Sequence, residues 1–190
     1  MLFWNKVKLS ESGILNGFIE WHSHILPGVY DGVREIEDSI RILEMYESLG
    51  VRTVWCTPHI KEDLPNTPAE LEADFNGLRS VWKGNVELRL ASENMVDIVL
   101  EERLEQGMLL PLGNGLLVET SFFSPPVDLE GILDSVRSRG LFPVLAHPER
   151  YGYMTDIEYE RLKEDGVLFQ LNIPSLTGLY GSSARDKAEK

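Results

Sequence analysis

Apolar and polar positions follow one another along this chain in two rhythms. Short β-rich runs fall at residues 18–22, 51–56, 86–90, 116–118, 142–146 and 167–172. Between them, apolar residues recur every three or four positions, the spacing that places them on one face of a helix. The pattern predicts helices from Ile36 to a stop at Gly50, and from Pro68 through Leu71, Phe75, Leu78 and Trp82. Further helices are expected over 97–106 before Gly107, over 129–139 before Gly140, and over 157–165. Asn66-Thr67-Pro68 supplies a helix start, because a proline at the first position lacks only an N–H that has no partner inside the helix. Residues 184–190 begin one more helical stretch and reach the last residue without a cap. The repeated β-α order predicts a parallel sheet with crossover helices, which an open doubly wound sheet and a closed barrel both satisfy. No repeat, low-complexity tract or linker divides the chain, so a single domain over 1–190 is expected, with 1–17 as an N-terminal arm.

Composition narrows the partners. Of 190 residues, 43% are hydrophobic and 26% charged, an ordinary balance for a chain with a sizeable core. The 18 basic and 31 acidic residues leave a net charge of -13. Nucleic acid and anionic membranes need a basic face, so neither is an expected partner. The one cysteine, Cys56, excludes an internal disulfide framework and a Cys-rich zinc site, and it fits a reducing compartment. No run approaches the ~18 apolar residues of a membrane span, and residues 1–8 hold no apolar run of the length a signal sequence needs. A cytoplasmic protein is expected. Phe3 and Trp4 beside Lys6 and Lys8 read as a loosely packed terminal arm rather than a membrane or partner contact.

All four histidines (His22, His24, His59 and His147) are expected at the carboxyl ends of strands. So are Glu93 and Glu119. In parallel α/β folds that edge collects ligands and catalytic groups. One histidine there would be read as structural; four with two carboxylates suggest chemistry. In His22-Ser23-His24 the period of two sends both imidazoles to one side, where two neutral rings can grip a divalent ion. Asp31 is a candidate cap for the following helix, an oxygen ligand, or both. Glu93 and Glu119 can coordinate through one or both oxygens. Arg150 is a candidate anion clamp, with a surface ion pair to Glu149 or Asp156 as the plainer reading. Mixed imidazole and carboxylate donors favour Mn, Fe or Zn over Ca or Mg. Such ions would let a very acidic protein accept an anionic substrate. A cysteine phosphatase is closed off, since Glu62 stands six after Cys56 where an arginine is required. No Gly-x-Ser-x-Gly elbow, phosphate-binding P-loop or Gly-x-Gly-x-x-Gly occurs.

The chain resembles the bacterial metal-dependent protein-tyrosine phosphatases of the polymerase-and-histidinol-phosphatase (PHP) superfamily, of the capsule and exopolysaccharide type. The residues that carry the resemblance are His22-Ser23-His24-Ile25-Leu26-Pro27-Gly28 with Asp31-Gly32, Thr57-Pro58-His59, Glu93, Glu119, His147-Pro148-Glu149-Arg150-Tyr151, and Ser175-Leu176-Thr177-Gly178 with Tyr180-Gly181. Glu20 and Tyr30 depart from the family pattern, which has acidic Asp at both places. The resemblance implies a distorted (β/α)7 TIM-like barrel with two or three divalent ions, usually manganese. It implies hydrolysis of phosphotyrosine on the tail of a bacterial tyrosine autokinase that controls polysaccharide assembly. Carried over, His22, His24 and Glu119 hold one ion, Glu93, Glu119 and His147 a second, Asp31 and His59 contribute to a third, and Arg150 binds the phosphoryl group. The implied chemistry is in-line attack of a metal-activated hydroxide at phosphorus. The family continues to a Ser-Asp-Ala-His segment that has no counterpart before Lys190, so a barrel lacking its last strand and helix is expected. Two alternatives remain: a PHP-type phosphoesterase for a small phosphomonoester such as histidinol phosphate, and a catalytically inactive binding protein. Homo-oligomer formation is left open.

Overall fold

A computed structural model of the chain describes residues 7–64 and 66–190; the reading of Phe3, Trp4 and Lys6 lies outside them. The strands are β1 (Ile19–Ser23), β2 (Thr53–Cys56), β3 (His59–Ile60), β4 (Glu87–Leu90), β5 (Glu93–Met95), β6 (Gly115–Glu119), β7 (Phe142–Ala146) and β8 (Leu168–Gln170). The helices are α1 (Leu9–Ser12), α2 (Ile36–Ser48), α3 (Pro68–Val81), α4 (Leu100–Gln106), α5 (Leu129–Ser138), α6 (Asp156–Glu164), α7 (Ile173–Leu176) and α8 (Ser182–Ala188). A 3-10 turn covers Pro148–Arg150. Two compact units result. The first takes the residues up to Pro58 with Leu71–Leu90, and the second takes His59–Glu70 with Ala91–Lys190.

Every strand pairing is parallel, so the fold is α/β as the β-α rhythm predicts. The first unit contains a three-stranded sheet in the order β1-β2-β4, and the second a five-stranded sheet in the order β3-β5-β6-β7-β8. Strands β2 and β6 are buried along their whole length and contain the apolar runs Val54-Trp55-Cys56 and Leu116-Leu117-Val118, as expected where helices cover a sheet. In the first unit, α2 buries Leu43 and α3 buries Leu71, Phe75 and Leu78, the residues its periodicity marks. In the second, Leu116, Val118, Leu133, Val136, Leu145 and Leu162 form one core with the fully buried Tyr151. Each such aliphatic side chain contributes about 1.5–3 kcal/mol of burial.

Two strands were not expected. His59 opens β3 instead of following β2 as a loop residue, and Glu93 opens β5 instead of standing at the end of the preceding strand. Pro58 has no N–H to continue the β2 ladder, so pairing stops and resumes with a different neighbour. At the second break, Ser92 leaves its strand by donating its N–H to the Leu110 carbonyl at 2.9 Å. Helix α4 starts three residues later than expected. Asp97 accepts from the N–H of Glu62 at 2.7 Å and of Val99 at 3.1 Å, and so belongs to the turn. The expected arm carries the one-turn helix α1.

Candidate functional site

The first unit presents a group at the end of β1. His22 lies in the strand and His24 one residue beyond it, and their Nε2 atoms stand 3.0 Å apart. Their shared side follows from the strand period. Between them Ser23 turns away and is buried, its hydroxyl donating to the Trp55 carbonyl at 2.7 Å. Nδ1 of His24 is 2.8 Å from Oδ1 of Asp31. A carboxylate on one ring nitrogen fixes the tautomer and leaves the lone pair on the other, the usual device for orienting a metal-binding imidazole. Asp31 does not cap the following helix: Glu35 holds that position in α2, without a side-chain cap. Glu20 receives the His22 N–H at 3.1 Å and the Tyr46 hydroxyl at 3.4 Å. Burial raises its carboxyl above the usual carboxylate range.

The second unit presents a larger and more deeply buried group. His59 and Glu93 are register partners on β3 and β5, and Met95 of β5 is the partner of Glu119 on β6. Partners in a parallel ladder, and residues two apart, share a face. His59, Glu93 and Glu119 are therefore directed to one side by backbone register. Nδ1 of His59 lies 3.1 Å from Glu93 Oε2 and 2.9 Å from Glu119 Oε1. His147 requires a further device. It stands two residues past Leu145, the partner of Val118, so strand alternation would send it to the face opposite Glu119. Its backbone instead takes φ 32°, ψ 51°, a left-handed conformation unusual for a residue with a Cβ. Nε2 of His147 then reaches Oε1 of Glu93 at 2.9 Å and lies 3.8 Å from Oε2 of Glu119. Strain of about 1–3 kcal/mol held at such a residue is characteristic of functional positions.

Tyr151 ties these strand ends together. Its buried hydroxyl accepts the Thr120 N–H at 3.1 Å and donates to the Ala146 carbonyl at 2.8 Å. Those are the residues next to Glu119 and His147. Burial raises the phenol further above its ordinary range. The sequence reading assigned Tyr151 no role beyond its place in a motif, and a two-residue bridge of this kind has no local signature. Arg150 ends the 3-10 turn. Among the described residues it forms no ion pair, and the plainer reading of it fails for a physical reason. Glu149 is buried and bonded to Ser175 Oγ at 2.6 Å, while Asp156 is held by Lys190 at 2.7 Å. Arg150 packs on Phe122 and Tyr180 instead.

The donor chemistry fits a divalent cation. Glu93 and Glu119 are 1% and 5% exposed, and two buried carboxylates this close need positive charge among them. His59, Glu93 and Glu119 can each offer one ligand atom within 4.8 Å of the others. In the first unit, the 3.0 Å between imidazole nitrogens matches two adjacent ligands at ~2.1 Å from one ion. Imidazole with carboxylate is the set that borderline transition metals take. The fold and these two groups define a class: a parallel α/β protein with histidine–carboxylate clusters suited to divalent metals on its strand edges.

Comparison with known proteins resolves the class to a family. Residues 18–190 match the family described as capsular polysaccharide synthesis, CpsB/CapC, and the chain belongs to it. It is 29% identical over 176 residues to the tyrosine-protein phosphatase YwqE of Bacillus subtilis, covering 88% of this chain and 69% of that protein. It is 30% identical over 158 residues to the tyrosine-protein phosphatase CpsB of Streptococcus agalactiae, covering 77% of this chain and 62% of that protein. A solved structure from work on YwqE of Bacillus subtilis and CpsB of Streptococcus pneumoniae superimposes with a TM-score of 0.81 at 27% identity, over 88% of this chain and 71% of that one. Those two proteins are described as unique metal-dependent tyrosine phosphatases. The chain thus spans roughly two thirds of the length of these relatives.

Proposed function

We propose that this chain is a metal-dependent phosphatase that hydrolyses phosphotyrosine in protein. The observation that carries the reading is the buried group His59, Glu93, Glu119 and His147, with Arg150 three residues on from the last of them. The relatives named as tyrosine-protein phosphatases, and the metal dependence of the similar structure, support it. In this reading His22, His24 and Asp31 of the first unit and His59, Glu93, Glu119 and His147 of the second serve two or three divalent ions. Mn is the first choice and Fe or Zn the alternatives. Asp31 acts through His24, fixing which ring nitrogen is the donor. Bound ions would polarise the phosphoryl oxygens and lower the pKa of a water. Arg150 holds the phosphoryl oxygens with its planar fork of donors. The low exposure of Glu93, Glu119 and His147 keeps bulk water from these charges, which strengthens every interaction among them.

The proposed substrate is the phosphorylated tail of a bacterial tyrosine autokinase, and the proposed setting is cytoplasmic control of capsule and exopolysaccharide synthesis. No helix among the described residues is long and apolar enough to cross a membrane. A distorted PHP-type (β/α)7 barrel forming a single domain is the architecture that goes with this reading. The test is phosphate release from a phosphotyrosyl peptide after chelator treatment. Activity should vanish and return with added Mn2+; activity indifferent to chelation contradicts the reading. Faster turnover of histidinol phosphate than of the peptide would replace the protein substrate by a small phosphomonoester.

A further inference from the structure

The side chain of Arg150 is held by two aromatic rings. Its guanidinium carbon lies 4.3 Å from the centroid of Phe122 and 4.4 Å from that of Tyr180. Both are close for a cation over a ring face. Among the described residues no carboxylate pairs with it. The difference matters for an anion-binding arginine. A carboxylate would cancel the positive charge and occupy the N–H fork, whereas a ring attracts the face of the guanidinium and leaves the donors at its edge available.

The Phe122 ring and the backbone that carries Tyr180 are both held by their surroundings. Phe122 follows β6, and its carbonyl accepts the Gly152 N–H at 2.9 Å. Its ring also lies 5.6 Å from that of His147. Tyr180 sits in the turn between α7 and α8, immediately before Gly181, whose φ of 93° suits only glycine. Helix α8 is anchored by Lys187, which donates to the carbonyls of Tyr151 and Met154. Tyr180 itself is 41% exposed, more than an aromatic ring serving only the core would be.

We propose that Phe122 and Tyr180 are positioning residues that hold the Arg150 guanidinium with its donors open to a phosphoryl oxyanion. The inference rests on the reading of Arg150 as the anion clamp and adds how that clamp is oriented. The test uses the full chain with inorganic phosphate as probe, reading its dissociation constant in the Mn2+-loaded protein and the Nε–H resonance of Arg150 in the protein loaded with diamagnetic Zn2+. Tyr180→Leu should weaken phosphate about three- to fivefold. It should also move the Arg150 Nε–H signal away from its ring-shifted position, with metal content unchanged. Tyr180→Phe keeps the ring and should restore both. Arg150→Gln should weaken phosphate about tenfold or more. Unchanged phosphate affinity in Tyr180→Leu, alongside a loss in Arg150→Gln, would overturn the positioning role alone. Unchanged affinity in Arg150→Gln, or no phosphate binding by the unaltered chain, would overturn the clamp and the inference with it.

Discussion

His147 shows what a single residue contributes that its neighbours in sequence do not announce. Its type and place after an apolar run were readable, and so was its candidacy as a ligand. The left-handed turn that brings it to Glu93 was not, because strand alternation alone points it away. Tyr151 was hidden for the same reason: its hydroxyl serves Thr120 and Ala146, partners set by the packing of β6 on β7. Tyr151→Phe should leave both groups buried without this partner. We expect a stability loss of about 1–3 kcal/mol in urea denaturation and weaker Mn2+ binding in titration. A neutral effect on both would deny the bridge a role. Cys56 carries a second prediction at this scale. It is fully buried, and burial pushes its thiol up from 9.0 to about 12. At pH 8 the reactive thiolate is then about one part in 10⁴. Native protein should resist a thiol reagent that labels the unfolded chain at once; equal labelling rates would contradict the burial. Because the folded state holds this proton more tightly, the contribution to stability is present below about pH 9 and is lost as pH rises towards 12.

At the scale of elements, long periodic segments were legible and short ones were not. Helices α2, α3 and α5 carry enough apolar residues at helical spacing to reveal both existence and face. Strands β3 and β5, of two and three residues, are too short to display a period. They matter more than their length suggests, since they place His59 and Glu93 in register. The capping box of α6 was available in Thr155-x-x-Glu158, and it moves the helix start to Asp156. Glu158 accepts the Thr155 N–H at 2.6 Å, while Thr155 Oγ1 accepts the Glu158 N–H at 3.4 Å. Thr155→Ala should cost about 1 kcal/mol, read as a lower urea midpoint with unchanged slope. No change would show that the exposed cap contributes nothing to the stability of the fold.

For the whole molecule, the α/β class and its parallel order followed from the β-α rhythm alone. Division into two compact units did not, because the breaks after Pro58 and Leu90 fall between strands, and the one after Glu70 inside α3, with no linker composition to mark them. The net charge of -13 disfavours polyanion partners, yet the proposed substrate is an anion. Divalent cations reconcile the two, and the account stands on their being held by the donors at the strand edges. Titration of chelator-stripped protein with Mn2+, followed by elemental analysis, measures this directly on the unaltered chain and on Glu119→Gln and His147→Gln. The account predicts bound manganese in the unaltered protein and a loss of about tenfold or more in affinity in each variant. A chain that binds no manganese, or variants that bind it as tightly as the original, would contradict it.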